Sequence, residues 1–166
     1  HTLSDEYAQA EKRVGMIADK LAGRLISKGY KALSQSDNAL ITENTFDFTT
    51  KTSVLPHKTI AVLSGTGYIG KNNLFITAEY GAAQCLGSVL TNAPLSIMEH
   101  EIKSSQCGNC NICRDVCPQK ALNGVVWDMN VSRDEIVNVY DCVTCLKCLV
   151  YCPKTQAYMK RHITMK

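Results

Sequence analysis

The chain has 166 residues and a hydrophobic share of 45%, so it can form one or two small domains with a real core. It contains no apolar run of about eighteen residues and no secretory leader pattern, so we expect a cytoplasmic protein without a membrane span. The net charge of +3 comes entirely from residues 101–166, which hold nine basic and six acidic residues.

The first predicted element is a long amphipathic helix over residues 4–28. Ser4 suits its N-cap and Gly29 its C′ position. One apolar stripe recurs at helical spacing: Val14, Ile17, Ala18, Leu21 and Leu25. A short strand is predicted over residues 30–33.

Residues 35–55 are polar and predict a long loop, of a length that is often used to bind a ligand or to cover a site. Pro56 then opens an apolar stretch over residues 57–64, which we interpret as a helix of about two turns. A strand is the alternative, because so short an apolar run does not fix the period.

A glycine-rich segment, Gly65–Asn72, matches two phosphate-binding patterns in part. The dinucleotide pattern needs a helix after its glycines, but the residues that follow predict a strand. The P-loop pattern needs a hydroxyl residue where this chain has Asn72. We therefore expect neither fold, and predict a glycine-rich turn whose backbone N–H groups can approach a ligand closely.

Two strands are predicted next, over residues 74–77 and 84–90, around a turn at residues 79–81. Cys85 lies in the second strand among apolar neighbours. We interpret it as a buried core residue without a redox role.

The other eight cysteines form two copies of one pattern, C-x2-C-x2-C-x3-C-P. This run holds four-iron, four-sulfur clusters in two-cluster bacterial ferredoxins, where the fourth cysteine ligates the other cluster. The spacing therefore predicts two cubanes held by crossed sets of thiolates. We call these sets the first cage (Cys107, Cys110, Cys113 and Cys152) and the second cage (Cys142, Cys145, Cys148 and Cys117). Pro118 and Pro153 are expected to begin helices, because proline fixes φ and lacks an N–H.

Three other interpretations of the cysteines are weaker. A disulfide framework is typical of small secreted proteins, whereas here the cysteine number is odd and the copies are confined to the last third of the chain. Structural zinc uses two C-x2-C pairs for each metal, not a triplet with a distant fourth cysteine and a proline. Three-iron or degenerate sites would lack a ligand, and both quartets are complete.

Around the second copy, residues 125–127 predict a short strand and residues 133–139 a helix capped by Ser132. Lys147 lies inside the second copy, so the two clusters are expected to differ in midpoint potential. The basic tail is interpreted as a solvated helix face, with a docking patch for an acidic redox partner or for RNA as the alternative: Lys154, Lys160, Arg161 and Lys166. Most of the positive charge would compensate the clusters, since each oxidised cubane with four thiolates carries about −2.

A family resemblance rests on four segments: Gly67–Asn72, Glu79–Gly81, Leu90–Leu95 and the first cysteine copy that begins at Cys107. Together they resemble the epoxyqueuosine reductase family, which is related to corrinoid-dependent reductive dehalogenases. The resemblance runs over roughly residues 10–155. It implies an α+β fold, with a truncated nitroreductase-like α/β domain over residues 1–100 and a bacterial-ferredoxin-like double-cluster module over residues 101–166.

The same resemblance implies that two 4Fe-4S clusters pass electrons to a cobalamin. The corrinoid domain of the family contains the glycine-rich turn, so the candidate cofactor contacts are Gly67, Ile69, Gly70 and Lys71. The acidic catalytic residue of the family precedes that turn. Asp37 is a positional counterpart, but its neighbours do not match, so no catalytic residue is assigned and Asp37 is interpreted as a turn or cap residue.

Two functions follow as hypotheses. The favoured one is an iron-sulfur electron-transfer protein that passes single electrons to a partner protein or a bound cofactor. The alternative is a corrinoid- or flavin-dependent reductase of epoxyqueuosine reductase type, or a fragment of one, which would bring tRNA as a partner. A redox partner protein is expected, and a homo-oligomer is compatible with both hypotheses.

Overall fold

The computed structural model describes residues 3–163 as a mixed structure of helices and short strands. The helices are α1 (Leu3–Ser27), α2 (Asp37–Thr42), α3 (His57–Leu63), α4 (Ile112–Asp115), α5 (Arg133–Ile136), α6 (Lys147–Val150) and α7 (Pro153–Ile163). The strands are β1 (Ala32–Ser34), β2 (Phe46–Asp47), β3 (Thr52–Ser53), β4 (Gly67–Ile69), β5 (Phe75–Thr77) and β6 (Val89–Thr91). Within the described range, none of the helices has the length and apolar character that a membrane crossing requires.

The described residues form two compact units. Unit 1 consists of residues 3–60 and 85–99, and unit 2 of residues 61–84 and 100–163. These units do not coincide with the division near residue 100 that the sequence predicts, because residues 61–84 pack with the cysteine segment.

Helix α1 confirms the long helix predicted near the start of unit 1. It begins at Leu3, so Ser4 lies in its first turn and not at the N-cap. Its end is marked by Gly29, whose φ of +87° is the left-handed conformation that glycine adopts at low cost.

The buried face of α1 is rotated relative to the predicted stripe. Ala18 and Ala22 are buried, whereas Ile17 and Leu21 are exposed. The small residues are buried because α1 packs closely on the ribbon formed by β1 and β6.

Strands β1 and β6 pair in antiparallel fashion, with Leu33 opposite Leu90. The predicted strand over residues 84–90 is therefore wrong in extent and in partner, since its first residues have no regular structure. Gly87 lies so close to Val14 of α1 that an added Cβ would come within 2.6 Å of a Val14 methyl group. Packing on a helix thus holds this segment, and Cys85 within it is half-buried and not part of a strand.

The predicted loop over residues 35–55 is structured instead. Ser36 caps α2, because its Oγ accepts a hydrogen bond from the Ala39 N–H at 3.3 Å and donates one to Asp19 Oδ1 at 2.6 Å. Asp37 lies in the first turn of α2, as a cap-region residue. The hairpin of β2 and β3 follows, and such short polar elements leave no apolar period in the sequence.

In unit 2, the glycine-rich segment forms a strand before it turns. Tyr68 in β4 lies opposite Ile76 in β5, and the turn closes where the Gly70 N–H donates to Leu74 O at 2.9 Å. Strand β5 confirms the strand predicted over residues 74–77. No helix follows the glycines, so the structure agrees with the rejection of both phosphate-binding patterns.

Residues 61–84 are joined to α7 by a close backbone contact. Gly81 has a φ of +61°, and a Cβ on it would lie 2.5 Å from the Thr155 backbone nitrogen. Thr155 is 1% exposed, and its Oγ1 accepts a hydrogen bond from the Ala82 N–H at 3.1 Å. This contact explains why the hairpin belongs to the cysteine unit.

The two prolines after the cysteine copies behave differently. Pro153 begins α7, as predicted. Pro118 enters a turn in which Lys120 has a φ of +50°, so the helix predicted after it is absent. The chain turns here instead of continuing as a helix, because Leu122 forms an isolated β-bridge with Val137.

The segment between the copies confirms one prediction and corrects another. Helix α5 is shorter than predicted but carries the expected cap, with Ser132 and Glu135 in a reciprocal capping box. Residues 125–127 form no strand, and the bridge at Leu122 is the strand-like pairing found there.

Candidate metal centre

The first cage surrounds a cavity of about 70 Å³ in unit 2. All four of its cysteines line this cavity: Cys107, Cys110, Cys113 and Cys152. Cys152 is 8% exposed and belongs to an apolar core with Tyr68 and Ile76. The fourth cysteine of the second copy therefore lies beside the first three cysteines of the first copy.

The second cage is more open to solvent. Cys142 and Cys145 are exposed, while Cys117 and Cys148 are half-buried. The latter two pack against one apolar core, which is formed by Ala121, Leu122 and Val137. The fourth cysteine of the first copy thus lies on the same core as the third cysteine of the second copy.

One thiol in each cage, Cys113 in the first and Cys148 in the second, has a pKa raised well above the ordinary cysteine value. Burial is the main cause that raises the pKa of Cys113 to about 11; the Arg114 backbone N–H opposes it, and the other thiolates of the first cage add to it. Burial also raises the pKa of Cys148 to about 12, with Cys142 as the next cause. Because crowded thiolates repel one another where water is scarce, each cage needs positive charge to hold its cysteines ionised, and iron ions supply such charge.

The donor set suits a cluster better than a single ion. Among residues 3–163, no three or more His, Cys, Asp or Glu side chains converge closely enough to hold one metal ion. A zinc ion needs its sulfur ligands at about 2.3 Å. A cubane takes one thiolate on each iron, and the four cysteines around the first-cage cavity supply that number of ligands.

The four predicted cofactor contacts are all buried in unit 2. Gly67 and Ile69 belong to β4, and Gly70 begins the turn. Lys71 is 7% exposed, lines the first-cage cavity, and donates through Nζ to Asn111 Oδ1 at 3.1 Å. Of the four, Lys71 lines this cavity, whose volume of about 70 Å³ is below the range of about 300–1,000 Å³ for organic ligands, and the corrinoid contacts stay a prediction.

The residue after Lys71 contacts the other cysteine copy. Asn72 is 5% exposed, and its Nδ2 donates to the backbone oxygen of Cys148 at 3.3 Å. Its Oδ1 accepts a hydrogen bond from the Leu74 N–H at 3.2 Å. Two successive side chains of the turn therefore contact Asn111 of the first copy and Cys148 of the second.

Sequence reasoning missed Tyr68, which lines the first-cage cavity and is 4% exposed. Its hydroxyl is buried and finds no hydrogen-bond partner in the described part of the chain. Burial raises the pKa of Tyr68 to about 12, and the thiolates of Cys107 and Cys152 act in the same direction. Because Tyr68 lies between two glycines, the sequence predicts a turn there and not a buried aromatic side chain. The apolar residues of β5 were the signal that a neighbouring segment could pair as a strand.

The basic tail is only partly a solvated face. Arg161 donates through Nη2 to the backbone oxygens of Ala78 and Glu79, at 3.1 and 2.5 Å. Lys154 lines the first-cage cavity and donates to Gln106 Oε1 at 3.4 Å. Lys166 lies outside the described residues.

Unit 1 contains a separate cavity of about 580 Å³, which lies within the size range of small-molecule sites. Its titratable lining residues are Glu11, Lys12, Asp19, Asp37 and His57. Burial lowers the pKa of His57, against the opposing charge of Asp37, and burial raises the pKa of Glu11. His57 Nδ1 lies 2.9 Å from Ser88 Oγ.

Cys85 lies in unit 1, apart from the cysteine copies in sequence and in unit. Burial raises the pKa of its thiol, and the Glu11 carboxylate acts in the same direction. A thiol with a raised pKa is a weak nucleophile and metal ligand; Cys85 is half-buried and not a core residue, and its lack of a redox role stays a prediction.

Comparison with known proteins links this site to one group of enzymes. The epoxyqueuosine reductase of Lactococcus garvieae is 41% identical over 73 residues, which are 44% of this chain and 20% of that protein. The epoxyqueuosine reductase of Pseudomonas aeruginosa is 31% identical over 120 residues, covering 72% of this chain and 28% of the relative. No family model matches the chain.

A solved structure shows the same relationship. The epoxyqueuosine reductase from Streptococcus thermophilus matches with a TM-score of 0.56 and 25% identity, over 85% of this chain and 39% of that one. This chain therefore spans well under half the length of the relatives it matches. Over the matched residues, the chain is epoxyqueuosine reductase-like.

Proposed function

We propose that this chain carries the electron-transfer module of an epoxyqueuosine reductase-like oxidoreductase, with one 4Fe-4S cluster in each cage. The observation that carries the proposal is the meeting of Cys152 with Cys107, Cys110 and Cys113 around one cavity. Cys152 is 39 or more residues away in sequence from the other three cysteines, and a shared cluster explains why they line the same cavity. Cys117 and Cys148 contact one apolar core, which Cys113 of the first cage also contacts, so the two proposed clusters would be neighbours.

When bound, the clusters would supply single-electron transfer between a redox partner protein and an acceptor. The chain itself supplies the thiolates and the apolar residues that keep water from the first cage. Ile76, at 1% exposure, and Cys152 belong to the core beside that cavity. The Asn72 contact to the Cys148 backbone fixes one loop of the second copy relative to the hairpin.

The same proposal covers the finer fold. The cysteine segment would be a bacterial-ferredoxin-like double-cluster module, and the N-terminal part would correspond to a piece of a nitroreductase-like domain. The proline-initiated helix α7 after the second copy supports the first correspondence. The likeness to the Streptococcus thermophilus reductase over 85% of this chain supports both.

Anaerobic reconstitution with iron and sulfide tests the proposal. We expect about eight irons per chain and a spectrum of 4Fe-4S clusters by EPR after reduction. In the crossed arrangement, Cys152→Ala removes the same EPR signal as Cys107→Ala, and Cys117→Ala removes the other. Loss of the same signal in Cys152→Ala and Cys142→Ala would overturn the crossing, and an iron-free protein would overturn the function.

A second candidate is a complete reductase activity of epoxyqueuosine reductase type, with tRNA as the substrate-bearing partner. The names of the relatives favour it, and the cavity of about 580 Å³ in unit 1 offers space for an organic ligand. Titration of the reconstituted chain with hydroxocobalamin and with FMN, followed by visible spectra, tests this candidate. Saturable binding at micromolar cofactor supports this candidate. Spectra that equal the sum of the separate components contradict it, and electron transfer is then the function that remains.

A further inference from the structure

The hydroxyl of Tyr68 is a donor that lacks an acceptor. It is buried beside the first-cage cavity, and no described residue accepts its hydrogen bond. A buried hydroxyl without a partner is costly, so such groups are nearly always satisfied in native proteins. The thiolates of Cys107 and Cys152 are the charged neighbours of this side chain, and a sulfur atom of a bound cluster would supply the missing acceptor.

Lys71, at the same cavity, also lacks a full set of hydrogen-bond acceptors and a counter-charge within residues 3–163. Its ammonium group has three donor hydrogens, and Asn111 Oδ1 is the one acceptor that it contacts in the described residues. Lys71 takes part in none of the ion pairs found among the described residues, so its charge is not balanced by a carboxylate there. Since a buried charge needs a counter-charge, the negatively charged thiolate cage is its natural partner.

We infer that the Tyr68 hydroxyl and the Lys71 ammonium face the redox group of the first cage and raise its midpoint potential above that of the second cage. The inference rests on the proposed function, which it deepens. Hydrogen bonds to cluster sulfurs and nearby positive charge both stabilise the reduced form, which carries one more negative charge.

The lysine inside the second copy is not equivalent to Lys71. The side chain of Lys147 is exposed, so water and salt weaken its effect on a nearby cluster. The difference in midpoint potential that the sequence predicts from Lys147 would therefore arise from Tyr68 and Lys71 instead. The first cluster would be the easier one to reduce.

Potentiometric titration of the reconstituted full chain, monitored by EPR, tests the inference. The test variants are Tyr68→Phe, which keeps the ring and removes only the hydroxyl, and Lys71→Gln. The matched controls are Tyr80→Phe and Lys28→Gln, which remove the same groups at exposed positions outside both cysteine copies. The first-cage signal is identified as the one that disappears in Cys107→Ala.

We expect Tyr68→Phe and Lys71→Gln to lower the midpoint potential of the first-cage signal, with wild-type iron content and an unmoved second signal. Neither control should move either signal. If Lys71→Gln fails to assemble its cluster, Tyr68→Phe decides alone, because the ring that packs in the core is retained.

Unchanged potentials in Tyr68→Phe with full iron content would overturn the inference, as would an equal shift of both signals. These results leave the proposed function standing, because the wild-type protein still carries its clusters. A wild-type protein without iron removes both proposals, and that outcome is visible before any variant is titrated.

Discussion

The two units of this chain contain different kinds of ionisable group. Unit 1 holds ionisable oxygen and nitrogen groups around a cavity of about 580 Å³, with Glu11 and His57 among them. Unit 2 holds eight thiols, and Lys71 is its buried cation at the first cage. The first set changes charge with pH, whereas the second depends on a metal for its ionised state.

This difference gives each unit its own sensitivity. Unit 1 should respond to protons and be indifferent to iron, because its only cysteine, Cys85, is a half-buried thiol with a raised pKa. Unit 2 should respond to iron, because cysteines of both cages belong to its apolar cores or pack against them. The experiments below separate the two responses.

Iron removal should produce the largest effect. Chelation of the reduced, reconstituted protein should abolish amide protection around both cysteine copies, since metal binding contributes folding energy in such modules. Helix α1, which packs on β1 and β6, should keep its protection. Hydrogen exchange followed by mass spectrometry measures both regions in one sample. Equal loss of protection in α1 would show that the units do not respond separately.

The next effect concerns the contact between the hairpin of unit 2 and α7. Thr155→Val keeps the shape of the side chain but leaves the Ala82 N–H without its acceptor, so we expect a loss of about 1–3 kcal/mol in the free energy of unfolding. Lys120 occupies the same place after Pro118 that Thr155 occupies after Pro153, and its φ is +50°. Lys120→Gly should therefore be neutral or stabilising by up to about 1 kcal/mol. Anaerobic urea titration of iron-loaded protein compares them, and equal destabilisation by both would contradict the asymmetry.

In unit 1, Ser36→Ala should have a smaller cost of about 1 kcal/mol, because it removes the N-cap of α2. Hydrogen bonds from Ser34 and Ser36 lower the pKa of Asp19, so the variant should raise that pKa toward its ordinary value. The stability that the lowered pKa provides is present above the unfolded value and is lost as pH falls through the folded value. NMR titration of the Asp19 carboxyl in both proteins checks this, and an unmoved pKa would contradict the contact.

The smallest effect is a pH dependence from His57. Burial lowers its pKa, so the unfolded chain binds the proton more readily than the folded one. The stability of unit 1 should therefore be complete above about pH 6.5 and decrease as pH falls from there through the folded pKa. His57→Gln should flatten this decrease between pH 6.5 and 5.5 in urea titrations of unit 1 signals. His162→Gln, at an exposed position of α7, is the control that should not.

Local signals in the sequence predicted the local features of the fold. The repeated cysteine spacing, the Ser132 cap and the glycine after α1 each act within a few residues, so their outcome is written in neighbouring letters. Contacts between distant residues could not be predicted in this way. Lys71 and Asn111 are 40 residues apart, and Leu33 pairs with Leu90 across most of unit 1.

The predicted loop over residues 35–55 failed for another reason. Its helix and hairpin are held by polar caps and turns, such as the Asp47 Oδ1 that accepts the Thr49 and Thr50 N–H groups. Such contacts replace an apolar face, and periodicity does not detect them. Tyr68 was missed because adjacent glycines suggested a turn at a place where β4 pairs with β5.

Cys142 and Cys145 stand at the surface, and this places the second cage within direct reach of the surroundings. An electron arriving from a partner would cross little protein to enter there, whereas the cysteines of the first cage are half-buried or buried. Because the second cage is more exposed, a cluster bound there would be the first to be oxidised by air.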